Sequence, residues 1–363
     1  MLFEPFDLHG ISLRNRAVMA PLTRNRATTD HLPTPLMAEY YAQRASMGLI
    51  ITEGTSPSAD GLGYARIPGL FTAAHVAAWR LSTDAVHEKG GRIFVQFMHC
   101  GRASHVDNLP AGARVVGPTI VPQSDPMFTD SAGLQPASTP HALTDDEIAI
   151  VVTEFAHAAR CAMDAGFDGI ELHGANGYLI EQFLNANVNT RTDAYGGSIE
   201  QRNRFALEVA RACVTAIGAD RVGMRVSPYG TFNNTGAFAD VAPQYLALAA
   251  SLGVMGLSYL HLVDHESMGA PSLPEGFALQ LRKAFGGVFI ASGGLNHGSA
   301  EAILTRGDAD LAAFGRPVLS TPDFYERLQV DAPMNEPDMQ TFYTSGAKGY
   351  TDYPVLGAVP TPG

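Results

Sequence analysis

Eight short runs rich in β-branched and other apolar residues recur along the chain. They lie near Arg16 to Ala20, Gly48 to Thr52, Arg92 to Phe97, Asp168 to His173, Val222 to Val226, Leu257 to Leu262, Val288 to Ser292 and Asp310 to Phe314. Several are apolar almost throughout, as expected of parallel strands covered on both faces. Amphipathic segments separate them, and some carry explicit helix starts. Thr144-Asp-Asp-Glu147 and Ser198-Ile-Glu-Gln201 match the capping box, in which the first and fourth side chains satisfy each other's backbone donors. Gly166, Gly218 and Gly307 follow helical stretches as C-caps. Eight alternations in 363 residues predict an α/β fold, a (β/α)8 TIM barrel built as one domain over residues 1–363. An open doubly wound sheet would want a GxGxxG turn after the first run, and none is present.

The alternation lapses mainly between the third and fourth runs, where Asn108 to His141 is rich in Pro, Gly, Ser and Thr. This insertion, about residues 108–141, is expected to lie as a lid over the C-terminal mouth of the barrel. Pro354 to Gly363 reads as a loose tail. Acids exceed bases by 36 to 24, for a net charge of −12, and no basic stripe appears, so phosphate-neutralising binding of nucleic acid is not expected. Cys100, Cys161 and Cys213 are scattered and lack CxxC spacing, which suggests neither a disulfide framework nor a metal site. The N-terminus has no signal-peptide pattern and no apolar run reaches membrane-spanning length, so a soluble cytoplasmic protein is expected.

In such barrels the residues at the C-terminal strand ends converge on one site. Here they are Pro21-Leu22-Thr23-Arg24, Gln96, His173, Arg225, Gly293-Gly294 and Gly315-Arg316. The two glycine-bearing turns, one followed by Arg316, fit a phosphate cradle of backbone N–H groups, although glycine also serves turn geometry alone. Thr23, Gln96 and Arg225 make an odd set for hydrolysis, since paired carboxylates, a Ser-His-Asp order and clustered metal ligands are missing. A hydroxyl, a carboxamide and a guanidinium suit the edge of a planar heterocycle such as an isoalloxazine, the cation favouring its reduced, anionic form. Their bland alternatives are a helix cap, a strand-edge amide and a structural ion pair.

The stretch Gly169 to Tyr178 empties an apolar strand into His173, Asn176 and Tyr178. Two neutral hydrogen-bond donors and a phenol at that spacing suit an enzyme that polarises a carbonyl and then supplies a proton. The alternative is a buried histidine and a packing tyrosine at a strand-to-helix corner.

Taken together, these residues resemble the Old Yellow Enzyme family of FMN-dependent ene reductases. The resemblance runs through Ala20-Pro-Leu-Thr-Arg24, Gly169 to Tyr178, Phe183 to Ser198, Phe314-Gly-Arg-Pro317, Phe342-Tyr343 and Gly349 to Pro354. It implies that Thr23 bonds the flavin O4 and that Gln96 and Arg225 lie on the pyrimidine side. It further implies that backbone around Pro21, Leu22, Gly293, Gly294 and Gly315, with Arg316, holds the ring and its phosphate. His173 and Asn176 would hold the substrate oxygen, Tyr178 would give the proton, and Tyr64 and Tyr343 would line the substrate side. One departure is Phe97-Met98, where many relatives have Leu-Trp; Met98 should reshape the pocket. Threonine rather than cysteine at position 23 separates the chain from the thermophilic-like branch.

The implied reaction uses non-covalently bound FMN and NADPH or NADH to reduce activated C=C bonds by ping-pong hydride transfer. Xenobiotic reduction of nitrate esters or nitroaromatics and a non-catalytic flavin-binding sensor are the alternatives, and the assembly would be a monomer or homodimer. Related barrels that add an iron–sulfur cluster would need a cysteine cluster, and a flavin-free sugar-phosphate isomerase would lack the yellow chromophore.

Overall fold

The computed structural model describes residues 1–357. Eight parallel strands close into a barrel: β1 (Ala17–Met19), β2 (Leu49–Thr55), β3 (Ile93–Phe97), β4 (Gly169–Gly174), β5 (Val222–Val226), β6 (Tyr259–Val263), β7 (Val288–Ser292) and β8 (Leu311–Phe314). Each falls on one of the eight runs in the sequence. β2 alone continues well past its expected end at Thr52, through Glu53, Gly54 and Thr55, with a register shift against β3 between Ile51 and Gly54. Glu and Gly are depleted in strands, so composition ends the run too early.

Strand residues alternate between two destinations. Ile50, Ile93, Val95, Ile170, Leu172, Met224, Leu260 and Phe289 join the large core that also contains the helix residues Trp79, Phe155, Phe205 and Leu248. Val18, Ile51, Phe94, Tyr259, Ile290 and Leu311 form a second core inside the barrel. Leu8 and Leu13 of an N-terminal hairpin, Phe6–Leu8 paired with Ile11–Leu13, complete that core and close the N-terminal end. Gly169 and Gly223 make room there, because a Cβ on either would strike the Phe94 or Tyr259 ring. One inward position further along, the interior turns polar: Gln96, Glu171, Arg225, His261 and Ser292 are all at most 8% exposed. The barrel is thus an apolar floor beneath a buried polar ceiling.

Both capping boxes form as expected, at Thr144–Glu147 and Ser198–Gln201. Gly307 ends the helix His297–Arg306 in the left-handed conformation, Gly218 caps Ile199–Ile217, and Gly166 follows the end of Asp145–Asp164. The 108–141 insertion carries four very short strands, among them the hairpin Met127–Thr129 with Gly133–Gln135. It is tied across the mouth: Asn108 donates to the Gly63 carbonyl, Arg66 pairs with Asp130, and the Ser124 N–H donates to Asn234 after β5. The tail expected to be loose begins tied, since the Pro354 carbonyl accepts from Arg327 and Asn335 at 2.8 Å each. Residues 358–363 of that tail lie outside the described residues. No helix among the described residues is long and apolar enough to cross a membrane.

Candidate active site

β4 delivers His173 to the mouth on its inner face, in register with Arg225 of β5, which in turn is in register with His261 of β6. His173 is 3% exposed, and its Nδ1 has no partner among the described residues. Burial first, then the cation of Arg225 and the nearby imidazoles, hold its pKa well below the ordinary value, so the ring is neutral at physiological pH. The chain then turns through Asn176 and Gly177, with φ of 59° and 72°. Asn tolerates this left-handed region better than most residues and Gly enters it freely. The Asn176 side chain makes no hydrogen bond among the described residues, and its Oδ1 is buried. Tyr178 follows, its ring 5.1 Å from that of His173 and its hydroxyl donating to Tyr64 at 3.3 Å. Burial, reinforced by Tyr64, pushes the Tyr178 pKa well above the usual phenol value, so the proton stays on.

A hydrogen-bonded chain crosses the barrel beside this turn. Gln96 Nε2 donates to Glu171 Oε1 at 2.8 Å, Glu171 Oε2 meets His261 Nδ1 at 2.8 Å, and His261 Nε2 meets Ser292 Oγ at 3.0 Å. Burial keeps His261 below its ordinary pKa, so the ring is neutral and its Nδ1–H donates to the carboxylate, while the Ser292 hydroxyl beside Nε2 also lies 3.1 Å from the Leu262 carbonyl, to which it donates. With one Nε2 proton given to Glu171, the Gln96 carboxamide is oriented and keeps its carbonyl oxygen as a free acceptor and a second N–H. The guanidinium of Arg225, a residue 7% exposed, has no hydrogen-bond partner among the described residues, and its Nε is buried and unsatisfied. A buried guanidinium with unfilled donors marks a place for an electron-rich ligand.

Around the same end of the barrel, Pro21 is buried and Leu22 and Thr23 are half-buried, with the Thr23 hydroxyl unpaired among the described residues. Gly293 has φ 129°, and a Cβ there would strike the Asp264 carbonyl oxygen; Gly294 has φ 64°. Turn geometry alone therefore demands glycine at both. Gly315 differs: its φ is −104° and a Cβ would meet only Leu22 Cδ2, at 3.8 Å, so its backbone lies open to an approaching group. Arg316 beside it is exposed.

Tyr64 is half-buried and meets Tyr178 edge-on at 6.2 Å, while Tyr343 is 63% exposed on the C-terminal segment above them. Met98 is only 1% exposed, in a small cluster with Leu62, Ile67 and Cys100 against which Tyr64 and Tyr178 pack. It shapes the pocket from behind these phenols instead of presenting surface of its own.

Residues 1–335 match the model of the NADH:flavin oxidoreductase / NADH oxidase family. The chain belongs to this family. It is 41% identical over 362 residues to the probable flavin mononucleotide-dependent alkene reductase of Leishmania infantum, covering 98% of each. Morphinone reductase solved in complex with tetrahydroNAD superposes with a TM-score of 0.92 at 43% identity, covering 98% of this chain and 97% of that one. The Old Yellow Enzyme homologue from Zymomonas mobilis superposes with a TM-score of 0.93 at 38% identity, covering 98% and 99%. The chain is therefore an FMN-dependent oxidoreductase of the Old Yellow Enzyme type, with NAD(P)H as reductant and activated alkenes as its substrate class.

The site fits FMN in this Old Yellow Enzyme-type barrel. Arg225 offers unfilled donors, Gln96 an acceptor and Gly315 an open backbone. Several residues that arrange the site were missed by sequence reasoning. Glu171 and His261 set the orientation of Gln96, and Glu53 accepts from the Arg24 N–H at 3.2 Å, fixing the turn that carries Thr23. Glu181 and Ser227 hold the Asn176 turn. For two of them the signal is period two: Glu171 lies two residues before His173 on the inward face of β4, and Ser227, just past the end of β5, lies two after Arg225.

Proposed function

We propose that this enzyme reduces α,β-unsaturated ketones, aldehydes, maleimides or nitroalkenes, with His173 and Asn176 gripping the activating oxygen and Tyr178 protonating the α-carbon. Bound at this site, FMN would supply the hydride chemistry, with NADPH or NADH as the reductant. The observation that carries the reading is the buried, partnerless His173 Nδ1 beside an Asn176 carboxamide that makes no hydrogen bond among the described residues, which leaves its NH2 free to donate, on the turn that also bears Tyr178. A neutral imidazole and a carboxamide are donors without net charge, suited to oxygen that gains negative charge as the double bond is attacked. Thr23, Gln96, Arg225 and the backbone near Pro21, Leu22, Gly293, Gly294 and Gly315, with Arg316, would hold the cofactor; Arg225 favours the reduced ring by its charge. Tyr64, Tyr343 and, through the phenols, Met98 shape the substrate side.

Donors of this kind are worth about 3 kcal/mol each in a transition state. His173→Ala should therefore weaken binding of a phenolic ligand and slow enone reduction about 100-fold, read by flavin absorbance titration and NADPH oxidation. Retention of both phenol affinity and turnover would remove His173 from the role. The three cysteines are free and buried, which supports a reducing, cytoplasmic setting, and a monomer or homodimer is the assembly to test by light scattering.

A further inference from the structure

Glu181 lies on the short helix Leu179–Leu184, is 1% exposed and forms no ion pair among the described residues. Its carboxylate is met by donors instead: the Gly177 N–H at 2.6 Å, the Ser227 hydroxyl at 3.1 Å and the Tyr245 hydroxyl at 3.1 Å. Ser227 Oγ in turn accepts from the Asn176 N–H at 2.9 Å. The Asn176 carbonyl accepts from Asn233 at 2.8 Å. Two consecutive left-handed residues thus have both N–H groups fixed by one carboxylate, one directly and one through a hydroxyl. Burying an unpaired carboxylate is costly, and here it pushes the pKa up to about 7. Packing does not demand this charge, since an apolar side chain would fill the same volume without the cost. Neutral glutamine would serve worse, because its NH2 would force the Tyr245 hydroxyl to turn from donor to acceptor and its uncharged oxygen would hold the Gly177 N–H and Ser227 hydroxyl less strongly.

We propose that Glu181 is a positioning residue: acting through Ser227 and the Gly177 N–H, it fixes where the Asn176 carboxamide stands over the substrate oxygen. Tyr245, on the outer helix Val241–Val254, ties that helix to the same carboxylate. The inference rests on the reading of Asn176 as an oxygen ligand.

The test is a double-mutant cycle in the FMN-loaded enzyme, reading the affinity of p-hydroxybenzaldehyde. Glu181→Gln should weaken it about tenfold in the native background and less than about twofold in Asn176→Ala, because the two act as a unit. Ser227→Ala, a milder change, should show the same dependence on Asn176, so the test survives if Glu181→Gln fails to bind FMN. Hydrogen exchange should also quicken in the peptide spanning 175–178 in both variants. An equal loss in both backgrounds, no loss at all, or unchanged exchange would overturn the proposal. If Asn176→Ala itself leaves phenol affinity intact while exchange quickens as described, the positioning stands and the substrate role of Asn176 is what fails.

Discussion

Tyr178 is the residue on which the choice of substrate class turns. A phenol is a weak acid, and burial weakens this one further, so it holds its proton until a carbanion-like α-carbon is presented. On the proposed roles, reduction of a nitrate ester would need oxygen held at His173 and Asn176 but no proton at carbon. Tyr178→Phe should therefore slow enone reduction by about 10²- to 10⁴-fold while leaving nitrate-ester turnover and flavin reduction by NADPH within a factor of about two. Stopped-flow traces in which flavin reduction slows as much as enone reduction would contradict the assignment. The neighbouring imidazole needs no second proton to act, since the neutral ring donates through its one N–H. His173 has a lowered pKa and stays neutral as pH rises from 6 to 8, so its donor role should not titrate in that range.

At the scale of elements, a C-terminal segment is tied to the turn after β1 by side-chain bonds and not through the barrel's sheet. Arg26 holds it: its guanidinium donates to the carbonyls of Thr341 and Phe342 at 2.8 Å, Lys348 at 3.0 Å and Gly346 at 3.2 Å. Arg24 adds the Gly349 carbonyl at 2.7 Å, and Tyr350 stacks on Tyr40 with ring centroids 4.1 Å apart. Arg26→Ala should leave the barrel folded but expose residues 341–350 to limited proteolysis, with the Michaelis constant for enone rising more than the turnover number falls. A segment as resistant as in the native enzyme would show that the stack alone suffices. The eight strands were legible because a buried parallel strand is one apolar run, and the caps because they are four-residue patterns. The lid hairpin was not, since three-residue strands carry no period to read. Glu171 and Glu181 were passed over for a different reason: a carboxylate in an apolar segment reads as an interruption until its partners, from β3, β5, β6 and the helix at 241–254, are brought to it by the fold.

Over the whole molecule, the chain separates stability from chemistry along the barrel axis. The N-terminal hairpin and the inner apolar layer seal one end; each fully buried Leu, Ile or Phe there contributes about 1.5–3 kcal/mol. The other end carries Arg225, unpaired among the described residues, the unfilled polar atoms of His173 and Asn176, and loops to which the 108–141 insertion and the C-terminal segment are hydrogen-bonded. With a net charge of −12, the surface at large offers an anion little attraction, so a cofactor phosphate would depend on local donors such as those proposed at the open Gly315 backbone and Arg316. The most direct measurement is a crystal structure of the FMN-loaded enzyme with p-hydroxybenzaldehyde bound. The account predicts the phenolic oxygen within about 3 Å of both His173 and the Asn176 carboxamide, with Arg225 and Gln96 on the pyrimidine edge of the flavin. A phenol seated away from His173 and Asn176, or a flavin whose pyrimidine edge turns away from Arg225, would contradict it.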